Sequence, residues 1–131
     1  MTTIKTFKEL DAWKKAVDLT RQIYLISGKG DFRKDFSLRD QIRRAATSIP
    51  SNIAEGFERE GNKEFIHFLT IAKGSTAEVQ TQLRIAFEVG YITDNEFKQM
   101  DDICIEVIRL ISGFLRYLRS TAIKGNKFNR A

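Results

Sequence analysis

Side chains that carry chemistry are scarce in this sequence. Its 131 residues hold one His, His67, and one Cys, Cys104. A lone Cys closes no internal disulfide, which favours a reducing, cytoplasmic setting. A carboxylate-bridged metal site in a helical bundle needs two Glu-x-x-His motifs and two further Glu. Only Glu64-Phe65-Ile66-His67 fits, and helical phase turns His67 away from the apolar face. Ser48 and Ser75 lack a candidate base, and Glu55 and Glu78 read as hydrogen-bond acceptors at helix contacts. Nothing is arranged for acid–base work, nucleophilic attack or phosphoryl transfer, so a protein without enzymatic activity, metal, cofactor or small-molecule substrate is expected.

Proline and glycine are also few. One Pro and eight Gly are too little for a turn-rich β architecture. Gly28 to Phe36 (GKGDFRKDF) has two Gly around a Lys, but not the Gly-x-x-x-x-Gly-Lys-Ser/Thr spacing of a phosphate cradle, and no strand precedes it. No apolar run reaches about 18 residues, so no membrane span is expected. The opening MTTIKTFKELDAWKK lacks the apolar core of a signal peptide.

What the sequence has is charge and helical periodicity. Charged residues make up 30%, and the net charge is +5. From Arg116 onward stand Arg116, Arg119, Lys124, Lys127 and Arg130 with no acid. Without those five, the remaining 17 Lys and Arg balance the 17 Asp and Glu. The excess positive charge therefore belongs to the C-terminal end. A second basic group, Lys29, Arg33, Lys34, Arg39, Arg43 and Arg44, is partly offset by Asp31, Asp35 and Asp40.

The stretch Ser37 to Gly56 (SLRDQIRRAATSIPSNIAEG) organises the chain. Ser37 with Asp40 reads as a helix start, and Leu38, Ile42, Ala45, Ala46, Ile49 and Ile53 share one face. Gln41, Arg44, Ser48, Asn52 and Glu55 form a polar stripe beside that face, where a neighbouring helix or subunit would meet it. Pro50 removes one backbone donor, and Gly56 reads as the helix stop. In the first helix, Leu10, Trp13, Val17, Thr20 and Tyr24 form the stripe, with Phe7, Ala16 and Ile23 beside it. In the third, capped by Asn62, Phe65, Phe68, Leu69, Ala72, Thr76, Val79, Leu83, Ala86 and Phe87 do so, with Ser75, Glu78 and Gln82 flanking. Gly74 in its middle suggests close approach of another backbone. Gly90 closes this helix, and Thr93 with Glu96 forms a capping box for the fourth.

The predicted helices cover about 6–27, 37–55, 62–89 and 93–120, followed by a basic tail, 121–131, in one domain. Short connections make neighbours antiparallel, which gives an all-α, up-down-up-down four-helix bundle. Phe57, Ile71, Ile85 and Tyr91 lie outside or at the margins of the apolar faces, a surplus that points to a homo-oligomer.

SIPSNIAEG, followed by EFIHFLTIAKGSTAEVQTQL from Glu64 to Leu83, resembles the bacterial four-helix-bundle family named after 23S ribosomal RNA intervening sequences. Phe7, Leu10, Trp13, Ala16 and Leu19 upstream and Gly90-Tyr91 downstream fit the same pattern, over about residues 6 to 120. The resemblance implies a ring-like homopentamer and a link to structured RNA. Two classes of function stay open. One is an oligomer that binds nucleic acid, with phosphate contacts from Lys29, Arg33, Lys34, Arg39, Arg43, Arg44, Arg116, Arg119 and Lys124. The other is a protein-interaction scaffold, favoured by the acidic residues Asp94, Glu96, Asp101, Asp102 and Glu106 on the fourth helix. In either case Ser48, Asn52, Glu55, Ser75 and Glu78 are expected to be structural.

Overall fold

The structure, a computed structural model, describes residues 4–123. Four helices carry the fold: α1 (Asp11–Ser27), α2 (Phe36–Glu58), α3 (Asn62–Glu88) and α4 (Asp94–Ile123). No strand occurs among the described residues. Each helix packs on two others, in the cyclic order α1, α2, α3, α4. The cross-helix contacts run in opposite senses. Thr20 meets Ala46 while Ser27 meets Arg43. Ser48 meets Ser75 while Phe57 meets Phe65. Phe65 meets Phe114 while Phe87 meets Phe97. All three sequential pairs are therefore antiparallel, as their short connections require.

The core is the stack of inward stripes. Leu19, Ile23, Ile42, Ile49, Leu69, Leu83 and Ile111 are fully buried. On α1 the buried residues are Ala12, Ala16, Leu19, Ile23, Ile26 and Ser27, whereas Val17 and Tyr24 are exposed. The stripe expected from sequence is thus rotated: two apolar series coexist on this helix, and the series with small Ala12 and Ala16 faces inward. The helix also begins later than expected. Thr6 and Glu9 form a capping box around a 3-10 turn, Phe7–Glu9, and the extended Leu10 separates it from α1.

The ends of α2 differ from expectation as well. Asp35, not Ser37, caps it, accepting the Leu38 N–H at 3.0 Å. The Ser37 hydroxyl instead accepts a hydrogen bond from Gln41 Nε2. Gly56 does not stop the helix, which continues to Glu58. A Cβ on Gly56 would lie 2.7 Å from Phe68 Cβ, so the glycine exists for close packing against α3. Conversely, a Cβ on Gly74 would meet nothing within 4 Å, which removes the expected close approach within this chain. Asn62 does not cap α3; its Nδ2 donates to Thr121 Oγ1 on α4 at 2.9 Å. Phe57 is buried and Tyr91 is held within the chain, so of the four surplus residues only Ile71 and Ile85 are exposed.

Gly90 ends α3 as expected. With φ of 85°, it lets its own N–H reach Phe87 O and the Tyr91 N–H reach Ala86 O. Thr93 and Glu96 exchange hydrogen bonds of 2.9 and 3.1 Å at the start of α4. Pro50 sits inside α2 and supplies no N–H to Ala46 O. Thr20 Oγ1 on α1 lies 3.0 Å from that carbonyl and 2.8 Å from Ala16 O, so its one proton is shared between the open carbonyl of α2 and a carbonyl of its own helix.

Candidate nucleic-acid interface

The end of the bundle where α1 leads into α2 and α3 into α4 is fixed from both connections. A 3-10 turn, Phe32–Lys34, buries Phe32 completely and leaves Arg33 and Lys34 exposed. The Tyr91 ring stacks on Phe32 with centroids 5.4 Å apart. The Tyr91 hydroxyl donates to Asp35 Oδ2 at 2.8 Å. Asp35 therefore serves two roles, and both favour its carboxylate form. Hydrogen bonds from the Leu38 N–H first, then from Tyr91, hold its pKa below the usual value, and the same bond to Asp35 raises that of Tyr91.

The basic residues around this pole divide into two groups. Lys29 pairs with Glu96 Oε2 at 3.2 Å. The Glu96 carboxyl is lowered mainly by the Thr93 N–H, with Lys29 adding to the effect. Arg39 bonds Asp40 and the Arg33 carbonyl and lies over the Phe36 ring. Arg43 donates to Ser27 Oγ at 2.8 Å and to Tyr24 O, and its guanidinium covers the Tyr24 ring at 4.6 Å. Arg43 is thus a clamp between α1 and α2. Its partners follow from the short connection, which sets the second turn of α2 against the last turn of α1, although residue type alone gives no sign of it. Arg33, Lys34 and Arg44 are exposed and pair with no carboxylate among the described residues. Arg116 and Arg119 are exposed near the end of α4, at the opposite pole. α4 extends through residues 121–123 of the expected tail, and Lys124 and the residues after it lie outside the described residues.

The two polar stripes meet. Ser48 Oγ and Ser75 Oγ are 2.9 Å apart, and Asn52 Nδ2 donates to both Oγ and O of Ser48. Ser48 Oγ keeps its proton and a second lone pair after accepting from Asn52, so either hydroxyl of the pair can donate to the other. Glu55 points elsewhere, pairing with Arg59 at 2.9 Å. Glu78 joins Gln41, Arg44, Ser48 and Ser75 around an open recess of about 230 Å³. Gln82, next along the α3 stripe, is buried, and its Oε1 has no hydrogen-bond partner among the described residues.

The acidic residues of α4 are largely engaged within the bundle. Asp94 pairs with Lys98, Glu96 with Lys29, and Glu106 with Arg109, while Asp101 accepts from Gln80. Cys104 is fully buried, and burial pushes its thiol up to about 12, which removes the thiolate that nucleophilic chemistry needs. His67 is exposed. No group of three or more His, Cys, Asp or Glu positioned for a metal occurs among the described residues. No helix among them is long and apolar enough to cross a membrane.

These features define an antiparallel all-α bundle with a hydroxyl-and-amide seam between α2 and α3 and basic groups at both poles. The chain belongs to the 23S rRNA-intervening sequence protein family, which it matches over residues 8–113. Its fold is similar to a crystal structure of a protein of unknown function from the S23 ribosomal protein family of Bacteroides thetaiotaomicron. That similarity has a TM-score of 0.75 at 24% identity and covers 80% of this chain and 95% of the other. No curated protein matches the sequence.

Proposed function

We propose that this protein is a non-enzymatic, homo-oligomeric nucleic-acid-binding protein that engages structured RNA through phosphate contacts. The observation that carries the reading is the trio Arg33, Lys34 and Arg44. Arg33 and Lys34 project from the turn at one pole, and Arg44 stands further along α2 in the recess it shares with Glu78; all three are exposed and form no ion pair with a carboxylate among the described residues. Membership of a family named for intervening sequences of 23S rRNA directs the reading towards RNA. Phosphate contacts of this kind position a partner and read its shape rather than its bases.

The contact set is narrower than the sequence suggests. Lys29, Arg39 and Arg43 are tied into the fold, so reversing Arg43 would test the α1–α2 joint rather than RNA binding. Arg116 and Arg119 form a separate candidate at the other pole, and one small RNA element on a single subunit cannot span both. The acidic residues of α4 favour a scaffold function, but their support is reduced because most of those carboxylates have partners on this chain.

The test is binding of a structured RNA at several salt concentrations. Replacing Arg33 and Lys34 with Glu is expected to weaken binding across RNA sequences. The slope of log K against log salt should fall by about 0.7–0.9 for each phosphate the variant no longer neutralises. Reversal of Arg116 and Arg119 serves as the comparison. If only that second pair matters, the site belongs at the opposite pole.

A further inference from the structure

A glycine in the middle of a long helix lowers its stability relative to alanine. Gly74 does so in α3 with nothing near its missing Cβ. It lies within an outward series, Ile71, Gly74, Glu78, Thr81 and Ile85, with the alternating three- and four-residue spacing of a coiled-coil seam. Ile71 and Ile85 are 38% and 45% exposed. α1 with its C-terminal cap residue carries a second outward series with the same spacing: Lys14, Val17, Arg21, Tyr24 and Gly28. Val17 and Tyr24 in it are 39% and 45% exposed.

The two series lie at the same height on the bundle. Thr20 is level with Ala46 through their hydrogen bond, and Ser48 is level with Ser75. Because α2 and α3 are antiparallel, Ala46 is level with about Ala77, so Thr20 is too. Since α1 and α3 run in the same direction, Lys14 is then level with Ile71, Val17 with Gly74, Arg21 with Glu78, Tyr24 with Thr81, and Gly28 with Ile85. Were the two series set against each other at this register, a large residue would face a small one at Val17–Gly74, Tyr24–Thr81 and Gly28–Ile85. Arg21, which pairs with Asp18 within its own helix, would add Glu78 as a partner across such a contact, and the stem of Lys14 would cover Ile71.

We propose that α1 of one copy packs in parallel on α3 of the next through these matched series. The inference rests on the self-association included in the proposed function and adds its interface and register. The contact is heterologous, so it propagates from copy to copy and closes as a ring if the turn between copies permits. Both faces border α2. Arg43 of α2 covers Tyr24, and Glu78 shares its recess with Arg44 of α2. Successive copies therefore turn towards α2, which faces the ring axis, and the acidic α4 faces outward. The occupant is a second copy rather than another protein, because the complementary series stands on this chain at the matching height.

The test combines light-scattering mass with circular dichroism on the full chain. Arg21→Glu and Glu78→Arg should each reduce the assembly towards the 15.1 kDa monomer with helicity intact. Combining the two substitutions should restore the mass. Gly74→Leu should abolish assembly while leaving the monomer folded, because its side chain has open space in the single chain. An oligomeric wild type that none of these substitutions affects overturns this interface and leaves self-association standing. A wild type of 15.1 kDa at micromolar concentration overturns both. If a variant loses its helical signal, Val17→Ser provides a milder substitution at the same contact, and an unchanged mass in it counts against the interface.

Discussion

Gly56 and Gly74 lie inside long helices for opposite reasons, and alanine separates them. At Gly56 a Cβ would press on Phe68 Cβ at 2.7 Å and Phe65 Cδ1 at 3.0 Å. Gly56→Ala is therefore expected to destabilise the fold by about 1–3 kcal/mol through overpacking. At Gly74 the space is open, and Gly74→Ala should stabilise the isolated chain by about 0.5–1 kcal/mol. Urea unfolding at low protein concentration measures both. Equal signs would show that one of these environments is misassigned. The sequence does not distinguish them, because a helical glycine reads the same whether it stops the helix, admits a neighbour or stands open. Asp35 presents a comparable ambiguity. Its role as a cap lies two residues upstream of the obvious candidate, Ser37. Its lowered pKa makes its stabilising contribution present above its unfolded value of about 3.8 and lost as pH falls through the folded value. Asp35→Asn should thus be less stable than wild type at neutral pH, and the gap should close as acid titrates the wild-type carboxylate. A gap that stays constant below pH 3.8 would contradict this.

Among the elements, α2 carries the feature least expected of a regular helix. Pro50 withholds the donor for Ala46 O, and Thr20 on α1 covers that carbonyl. Thr20→Val should cost about 1–3 kcal/mol by leaving it without a partner. The same change beside Pro50→Ala should cost less, because alanine at that position supplies a backbone N–H that reaches Ala46 O. A double-mutant cycle by urea unfolding reads this coupling, and strict additivity would rule it out. Four helices, their breaks, the Gly90 stop and the Thr93–Glu96 box were legible from periodicity and capping chemistry, which are local. The α1 inward face was not. Two apolar series share that helix, and only packing decides between Leu19 and Val17. The contacts Arg43–Ser27, Tyr91–Asp35 and Asn62–Thr121 escaped for the same reason: each joins residues that only the tertiary arrangement brings together.

For the whole molecule, the division of charge matters more than its total of +5. Nine cations stand in the sequence as candidate phosphate contacts. The fold engages Lys29, Arg39 and Arg43, while Lys124 lies beyond the described residues. Arg33 and Lys34 remain at one pole, Arg44 on the α2–α3 flank beside Glu78, and Arg116 and Arg119 at the other pole. The polar stripe was legible as a helix contact, since Ser48 and Ser75 do meet, but Glu55 turns to Arg59 instead. The most direct test of the central claim is titration of a structured RNA against wild type and the Arg33→Glu, Lys34→Glu double variant across a salt series. The expected result is salt-sensitive binding by wild type and, in the folded variant, weaker binding with a shallower salt slope. No RNA binding by wild type at low salt, or an identical affinity and slope in the variant, would contradict it.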